Sequence, residues 1–439
     1  MLDKIISYID EADDLQAVSR ISKRFNAVAE RHLYHTIKFT RSHTTVQVVR
    51  LVLNIIYRPD LARLIKRAKF RHFETVDYGS DPSFKELREL CTQLGQACNF
   101  HISGKRHTTS LRPEYWGYCL ELSIKAVCFL MLMLLCVNME FLECHARTYE
   151  YNKSFWQIIA LCTDGSTLPM FSHLKELKAS NLALRDAFEL EIPSLEKLTV
   201  SMNKSESIMY RWGDFDAFIA TAPNLASLEV DHLQVDGWQE EFRETLIALS
   251  PTLTDLKLSG EGGAFLDLRS FDKLTHLHTD LKFLVSAKSP DVDENLFKFW
   301  TLLPPNIEHL GIDTDKIFLR DVENDCLVSN SLSTYAQLLS MEATQSLKHV
   351  EICLWYCDAQ WTDRLHRRNY PTQTDRRRYH AHILGLLSFR DTVTAAGISC
   401  ELELYNDHGD FWNFNLVERY DPDPDYNSDE VDTDSAEAE

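Results

Sequence analysis

The sequence lacks any apolar run long enough to cross a membrane. Its greasiest stretch, Ala126 to Val137, holds twelve apolar residues, whereas a spanning helix needs roughly 20. That stretch therefore reads as a buried core helix. A secretory leader is also missing, because the first helical pattern carries Asp3, Lys4, Asp10 and Glu11 where a leader would be apolar. Hydrolase and zinc signatures are absent: there is no G-x-S-x-G elbow, no H-E-x-x-H and no C-x-x-C. "SGKRHTT" falls short of a phosphate loop, since Asn99 stands where Gly is required and Arg106 where Ser or Thr is required. Positive charge is scarce too. A net charge of -20 argues against nonspecific binding to nucleic acid or an anionic membrane.

What is present is an ordinary soluble balance, 44% hydrophobic and 26% charged over 439 residues. That length suits two or three domains or one elongated repeat structure. Nine of the acidic residues lie from Asp421 onward with no Lys or Arg among them, which leaves -11 on the rest of the chain. The 11 cysteines are odd in number and mostly sit in apolar stretches. They read as reduced thiols in the cytosol or nucleus.

The opening, "MLDKIISYIDEADDLQAVSRISKRFNAVAERHLYHTI", divides into three short helical patterns. Leu2, Ile5, Ile6 and Ile9 share one helix face. Asp13 and Gln16 have capping-box spacing for a second helix that turns Leu15, Val18 and Ile21 inward. Ser22 can cap a third, with Phe25, Val28, Ala29 and Leu33 on one side. "LYHTIKF" then alternates like a strand, with Ile37 and Phe39 on one face. Three such helices bury too little surface to stand alone, so they must pack on the rest of the chain or on a partner.

Further along, one phrase recurs: Pro-x-Leu/Ile-x-x-Leu-x-Val/Leu/Ile. Close copies start at Pro193, Pro223, Pro251 and Pro305, and looser ones are "NMEFLEC", "SHLKELKA", "DKLTHLHT" and "QSLKHVEI". Amphipathic helical patterns lie between several copies, as at Phe215, Phe218, Ile219 and Ala222, or Trp238, Phe242 and Leu249. Each unit reads as a helix, a proline stop and a short strand with alternate side chains inward. Repeating helix–strand units must set their strands side by side and parallel. A last unit ends a helix at Gly397 and begins the strand "ISCELEL". "DPDPDYNSDEVDTDSAEAE" then reads as a disordered acidic tail. Its "DPDPD" resembles a calcium loop only in carboxylate spacing, because Tyr426 occupies the Gly position.

The N-terminal stretch, residues 2 to about 39, resembles the F-box motif, especially that of fungal F-box proteins. The similar features are "ISYI", an acidic turn leading into "DL", "VSRISKRF" and "LY". The repeats behind it resemble the irregular leucine-rich repeats such proteins often carry, without the usual Asn. The resemblance implies a substrate receptor: the F-box docks on the Skp-type adaptor of a cullin–RING (SCF-type) ubiquitin ligase, and the repeats hold a protein substrate. It implies adaptor-facing roles for Leu2, Ile6 and Ile9, for Leu15 and Val18, and for Ile21 and Phe25. Met1 stands where the motif's usual Leu-Pro opening would be: either translation begins late or the start is misassigned, and in the first case weaker adaptor binding is expected.

The outward strand positions form two columns across the repeats. The first reads Glu176, Lys197, Ser227, Asp255, His276, His309 and His349; the second reads Lys178, Thr199, Glu229, Lys257, His278, Gly311 and Glu351. If the strands are neighbours, the histidines line one end of the sheet in rows about 4.8 Å apart. Asp255, Lys257, His276, His278, His309, His349 and Glu351 are the candidate substrate contacts, since exposed strand faces are where solenoids bind. The histidines read as such contacts rather than as a metal patch. "CLWYC", Cys353 to Cys357, lacks the composition of a zinc knuckle. The basic run Arg364 to His380 reads as an exposed loop and helix start that can fold back on the acidic tail.

The expectation is an α/β chain: a small three-helix F-box-like unit over 1–40, a helical linker and first irregular repeat over 41–120, a curved leucine-rich-repeat-like solenoid over 121–405, and an acidic tail over 406–439. It has parallel strands with helices behind them, no catalytic residues, no cofactor and no metal. The expected partners are a Skp-type adaptor with its cullin ligase and a protein substrate, with no nucleic acid and no membrane. A protein-binding repeat scaffold without ligase function is the alternative.

Overall fold

The structure is a computed structural model. It describes residues 12–39, 45–71, 131–133, 135–145, 172–180, 192–201, 218–234, 239–261, 266–280, 302–314, 346–355, 390–405 and 411–413, with 6, 93, 128, 283 and 388 singly. Expectations for the acidic tail, the Arg364–His380 run, "DPDPD" and "SGKRHTT" lie outside these residues, as do Leu2 and Ile9.

The chain forms two compact units, Met1–Ala264 with Ser270–Leu274, and Phe265–Arg269 with Thr275–Glu439. In the first, α1 (Ala12–Ser19) and α2 (Lys23–His35) lead into β1 (Thr36–Phe39). Then come α3 (Thr45–Tyr57), α4 (Pro59–Ala62), β2 (Arg67–Arg71), β3 (Phe141–His145), β4 (Glu176–Ser180), β5 (Lys197–Ser201), β6 (Ser227–Gln234), α5 (Gln239–Leu249) and β7 (Asp255–Glu261). The strands β1 to β7 pair in chain order, all parallel. The second unit holds β8 (His276–Asp280), β9 (His309–Thr314), β10 (His349–Trp355), β11 (Ser399–Tyr405) and β12 (Phe411–Asn413). The strands β8 to β11 are parallel in order, and β12 returns antiparallel beside β11.

Every copy of the recurring phrase is a turn and a strand. Pro193, Pro223, Pro251 and Pro305 all sit in the turn before their strand, where a residue without an N–H costs no ladder bond. The apolar positions point inward: Leu195, Leu198 and Val200 are fully buried, and so are Leu225, Leu228 and Val230. Leu253, Leu256 and Leu258, then Ile307, Leu310 and Ile312, repeat the arrangement. Fully burying each such side chain contributes about 1.5–3 kcal/mol, which makes this column the main source of cohesion. Between strands, Phe218, Ile219 and Ala222 are buried, as are Phe242 and Leu249 of α5. Cys128, Met131, Leu132, Met133 and Cys136, from the greasiest run, are buried core.

A second device repeats at the strand entries. The N–H groups of Glu140 and Phe141 both donate to the Lys66 carbonyl, and those of Lys175 and Glu176 to the Glu140 carbonyl. Glu196 and Lys197 do the same at Lys175, Ala226 and Ser227 at Glu196, and Thr254 and Asp255 at Ala226. In the second unit Glu308 and His309 share the Thr275 carbonyl, and Lys348 and His349 share that of Glu308. One carbonyl thus fixes where each following strand begins, and so its register.

Near the N-terminus, Ile6, Leu15 and Val28 form a small buried cluster, with Val18, Phe25 and Leu33 packed against it. The Ser22 hydroxyl oxygen accepts the Phe25 N–H at 3.3 Å, capping α2 as expected. Asp13 is not the cap of α1, because that helix already includes Ala12. Arg58 joins α2 to the chain after α3: its guanidinium holds both oxygens of Glu30, at 2.8 and 3.3 Å, and also Asp60.

The expected boundaries shift in two places. β1 and β2 are the first two strands of the sheet, so it starts inside the span read as helical unit and linker. β12 lies in the span read as tail. A three-residue strand is too short to show alternation, and its pairing comes from β11 rather than from its own pattern.

Candidate functional site

In both units the outward strand face carries the polar columns. In the first unit they neutralise one another. Arg67 stacks over the Phe141 ring, 4.1 Å from its centroid. Lys69 meets the buried Glu143 carboxylate at 3.3 Å. Glu229 accepts from the Thr199 hydroxyl at 3.2 Å and pairs with Lys257 at 3.1 Å. Burial pushes the Glu229 carboxyl up, but Lys257 and Thr199 outweigh it and hold it below the ordinary range. Of the seven expected contacts, Asp255 and Lys257 belong to this unit, and Lys257 is engaged with Glu229.

The other five lie in the second unit. Register places His276 opposite His309 and His309 opposite His349. The His276 and His309 rings stack with centroids 4.4 Å apart and planes 5° apart, while His349 stands 5.6 Å from His309 and tilted. Burial, with the two flanking imidazoles, lowers the His309 pKa. The column is thus a stack of aromatic rings whose middle member takes up a proton less readily than a free imidazole.

The second column brings His278 beside Gly311 and Gly311 beside Glu351. A Cβ built on Gly311 would overlap the His278 imidazole. The bare glycine lets that ring lie across β9 and reach Asp313, Nε2 to Oδ2, at 2.9 Å. Asp313 belongs to a third outward column, Asp280, Asp313, Cys353 and Glu403, two residues beyond the second.

His278, Asp313 and Cys353 bring an imidazole nitrogen, a carboxylate oxygen and a sulfur all within 4.8 Å of one another, and Glu351, Cys353 and Glu403 form a second such group. The Cys353 sulfur lies 3.4 Å from Glu351 Oε1 and 3.7 Å from Glu403 Oε2. Burial and the surrounding carboxylates drive the Cys353 thiol far above its ordinary pKa. Of these five residues, Asp313 and Glu403 are not among the candidates read from the sequence, and Cys353 enters there only in "CLWYC", which lacks the composition of a zinc knuckle. Continuing the outward column by one more pleat would have found them.

The N-terminal candidates divide by exposure. Ile6 and Leu15 are buried in the chain's own cluster, Val18 and Phe25 are half-buried, and Ile21 is 65% exposed. Ile6 and Leu15 therefore hold the helices together, and Ile21, expected to point inward, is instead the most exposed of the described candidates because it lies in the turn after α1.

Among the described residues, no helix is long and apolar enough to cross a membrane. No family model matches the chain, and no curated protein matches it either.

Proposed function

We propose that this chain is the substrate-recognition subunit of an SCF-type ubiquitin ligase. Its N-terminal helices dock a Skp-type adaptor, and its repeat face holds a protein substrate. The observation that carries this reading is the position of Ile21. A large apolar side chain is 65% exposed at the turn joining α1 to α2, within four residues of half-buried Val18 and Phe25. Such a surface suits packing against helices of another protein. The same helices run through Thr36 into the first strand of a parallel repeat sheet. That arrangement joins the docking element directly to the sheet of the first unit. Strand faces of repeat sheets are extended platforms, and the ring column of His276, His309 and His349 offers the aromatic surface that protein contacts favour. The chain does no chemistry in this role.

The test is a binding measurement between the full-length chain and a purified Skp adaptor. Saturable binding that Phe25→Ala weakens is expected. No binding by the folded full-length chain overturns the ligase reading and leaves the protein-binding scaffold.

A further inference from the structure

The second unit holds two overlapping groups of metal-ligating side chains that share Cys353 of β10: His278 of β8 and Asp313 of β9 on one side of it, Glu351 of β10 and Glu403 of β11 on the other. Three physical features set this cluster apart from an ordinary polar strand face.

The spacing is the first. In a tetrahedral zinc site, bond lengths near 2.3 Å to sulfur and 2.1 Å to oxygen put a sulfur and an oxygen ligand about 3.6 Å apart. The Cys353 sulfur lies 3.4 and 3.7 Å from carboxylate oxygens of Glu351 and Glu403. His278 and Asp313, at 2.9 Å, need to part by only about half an ångström to match a tetrahedral edge. The second feature is the hydrogen-bond valence at Cys353. One S–H proton reaches Glu351 and Glu403 together only through a weak bifurcated bond, whereas a cation bound at the sulfur attracts both carboxylates at once. The third is Gly311. Any side chain there would displace the His278 ring from its course toward Asp313, so the backbone itself is shaped to let the imidazole arrive.

We propose that His278 Nε2, an Asp313 oxygen and Cys353 Sγ bind a divalent transition metal of the zinc class on the outer face of the second unit, and that Glu351, whose carboxylate touches the sulfur, turns in as the fourth ligand. The donor set of one soft sulfur, one imidazole and two carboxylates fits Zn²⁺ and its spectroscopic stand-in Co²⁺, and does not fit the all-oxygen preference of Ca²⁺ or Mg²⁺. Binding replaces the Cys353 S–H bond with a sulfur–metal bond and releases that proton to solvent, while neutral His278 gives its Nε2 lone pair. Glu403 remains beside the sulfur as an outer carboxylate. The metal ties β8, β9 and β10 together across three strands that are far apart in sequence. It stands on its own chemistry, independent of the ligase reading.

The test uses the full chain, stripped with a chelator, dialysed and titrated with Co²⁺. A thiolate-to-cobalt charge-transfer band that saturates near one equivalent and bleaches on adding Zn²⁺ is expected. Cys353→Ser should abolish the band. His278→Gln and Gly311→Ala should each weaken Co²⁺ binding at least about tenfold, and Glu403→Gln should cost less than either. Absence of the band in the unaltered protein overturns the proposal, as does a band that persists in folded Cys353→Ser. If Cys353→Ser does not fold by circular dichroism, His278→Gln decides, and unchanged affinity there overturns it.

Discussion

His278 reaches Asp313 only because Gly311 stands between them. The imidazole of one strand crosses the bare backbone of the next to make a 2.9 Å contact. Gly311→Ala should therefore destabilise the protein by roughly 1–3 kcal/mol, the usual cost of overpacking. If the clash is with the ring, His278→Ala in the same chain should recover most of that loss. Urea midpoints of the two single variants and the double variant give the coupling directly, and simple additivity would show that the ring is not the obstacle.

The histidine stack predicts a pH dependence. His309 binds a proton less readily in the folded protein than at its ordinary pKa of 6.5, because of burial and of His276 and His349, with Lys348 acting the same way and Glu308 opposing. The unfolded chain then holds more protons just below that value, so acid favours unfolding. The His309 contribution is complete above about pH 6.5 and is lost progressively as the pH falls beneath it. His35, lowered mainly by burial and Arg67, acts in the same direction. Thermal midpoints across this window should fall with acid, and His309→Phe should make the fall shallower.

Thr279 occupies an inward position that other strands fill with Val, Leu or Ile, and its buried hydroxyl has no hydrogen-bond partner. Thr279→Val should raise stability by about 1 kcal/mol, the penalty of an unsatisfied buried group. Chemical denaturation reads this directly. A loss instead would mean that the hydroxyl is satisfied in solution.

Neighbouring positions of β5 should respond very differently. Leu198→Ala removes a fully buried side chain and should cost about 2–5 kcal/mol. Lys197→Ala, at a half-buried polar position, should stay within about 0.5 kcal/mol. Equal costs would be inconsistent with this inward–outward alternation.

Ile21→Glu separates folding from docking. At 65% exposure the residue contributes little to the chain's own core, so the unfolding midpoint should hold within about 0.5 kcal/mol. Adaptor affinity should drop at least about tenfold if Ile21 is a contact, equivalent to roughly 1.4 kcal/mol. Unchanged affinity would remove Ile21 from the docking surface.

Most of the sheet was legible because the signal was local. In "PSLEKLTV" the proline, the spacing of Leu195, Leu198 and Val200, and the polar residues between them all specify one turn and one strand. Alternation alone marked Ile37 and Phe39 in β1. The cluster around Cys353 was not legible in the same way. Asp313, Cys353 and Glu403 are adjacent only through strand register, and His278 joins them only by crossing a glycine. Periodicity says which side of a sheet a residue faces. It does not say which neighbour a long side chain will lean toward.

The residues just before β2, β3, β4 and β5 run Lys66, Glu140, Lys175, Glu196, alternating in sign, with Lys66 bound to Glu140 and Lys175 to Glu196. Alternation makes these repeats distinguishable to one another even though their apolar positions are interchangeable. Copying a single repeat in place would set like charges face to face, whereas copying an adjacent pair would preserve every contact. The natural unit by which this stretch could lengthen is therefore two strands, although the unit of its folding pattern is one.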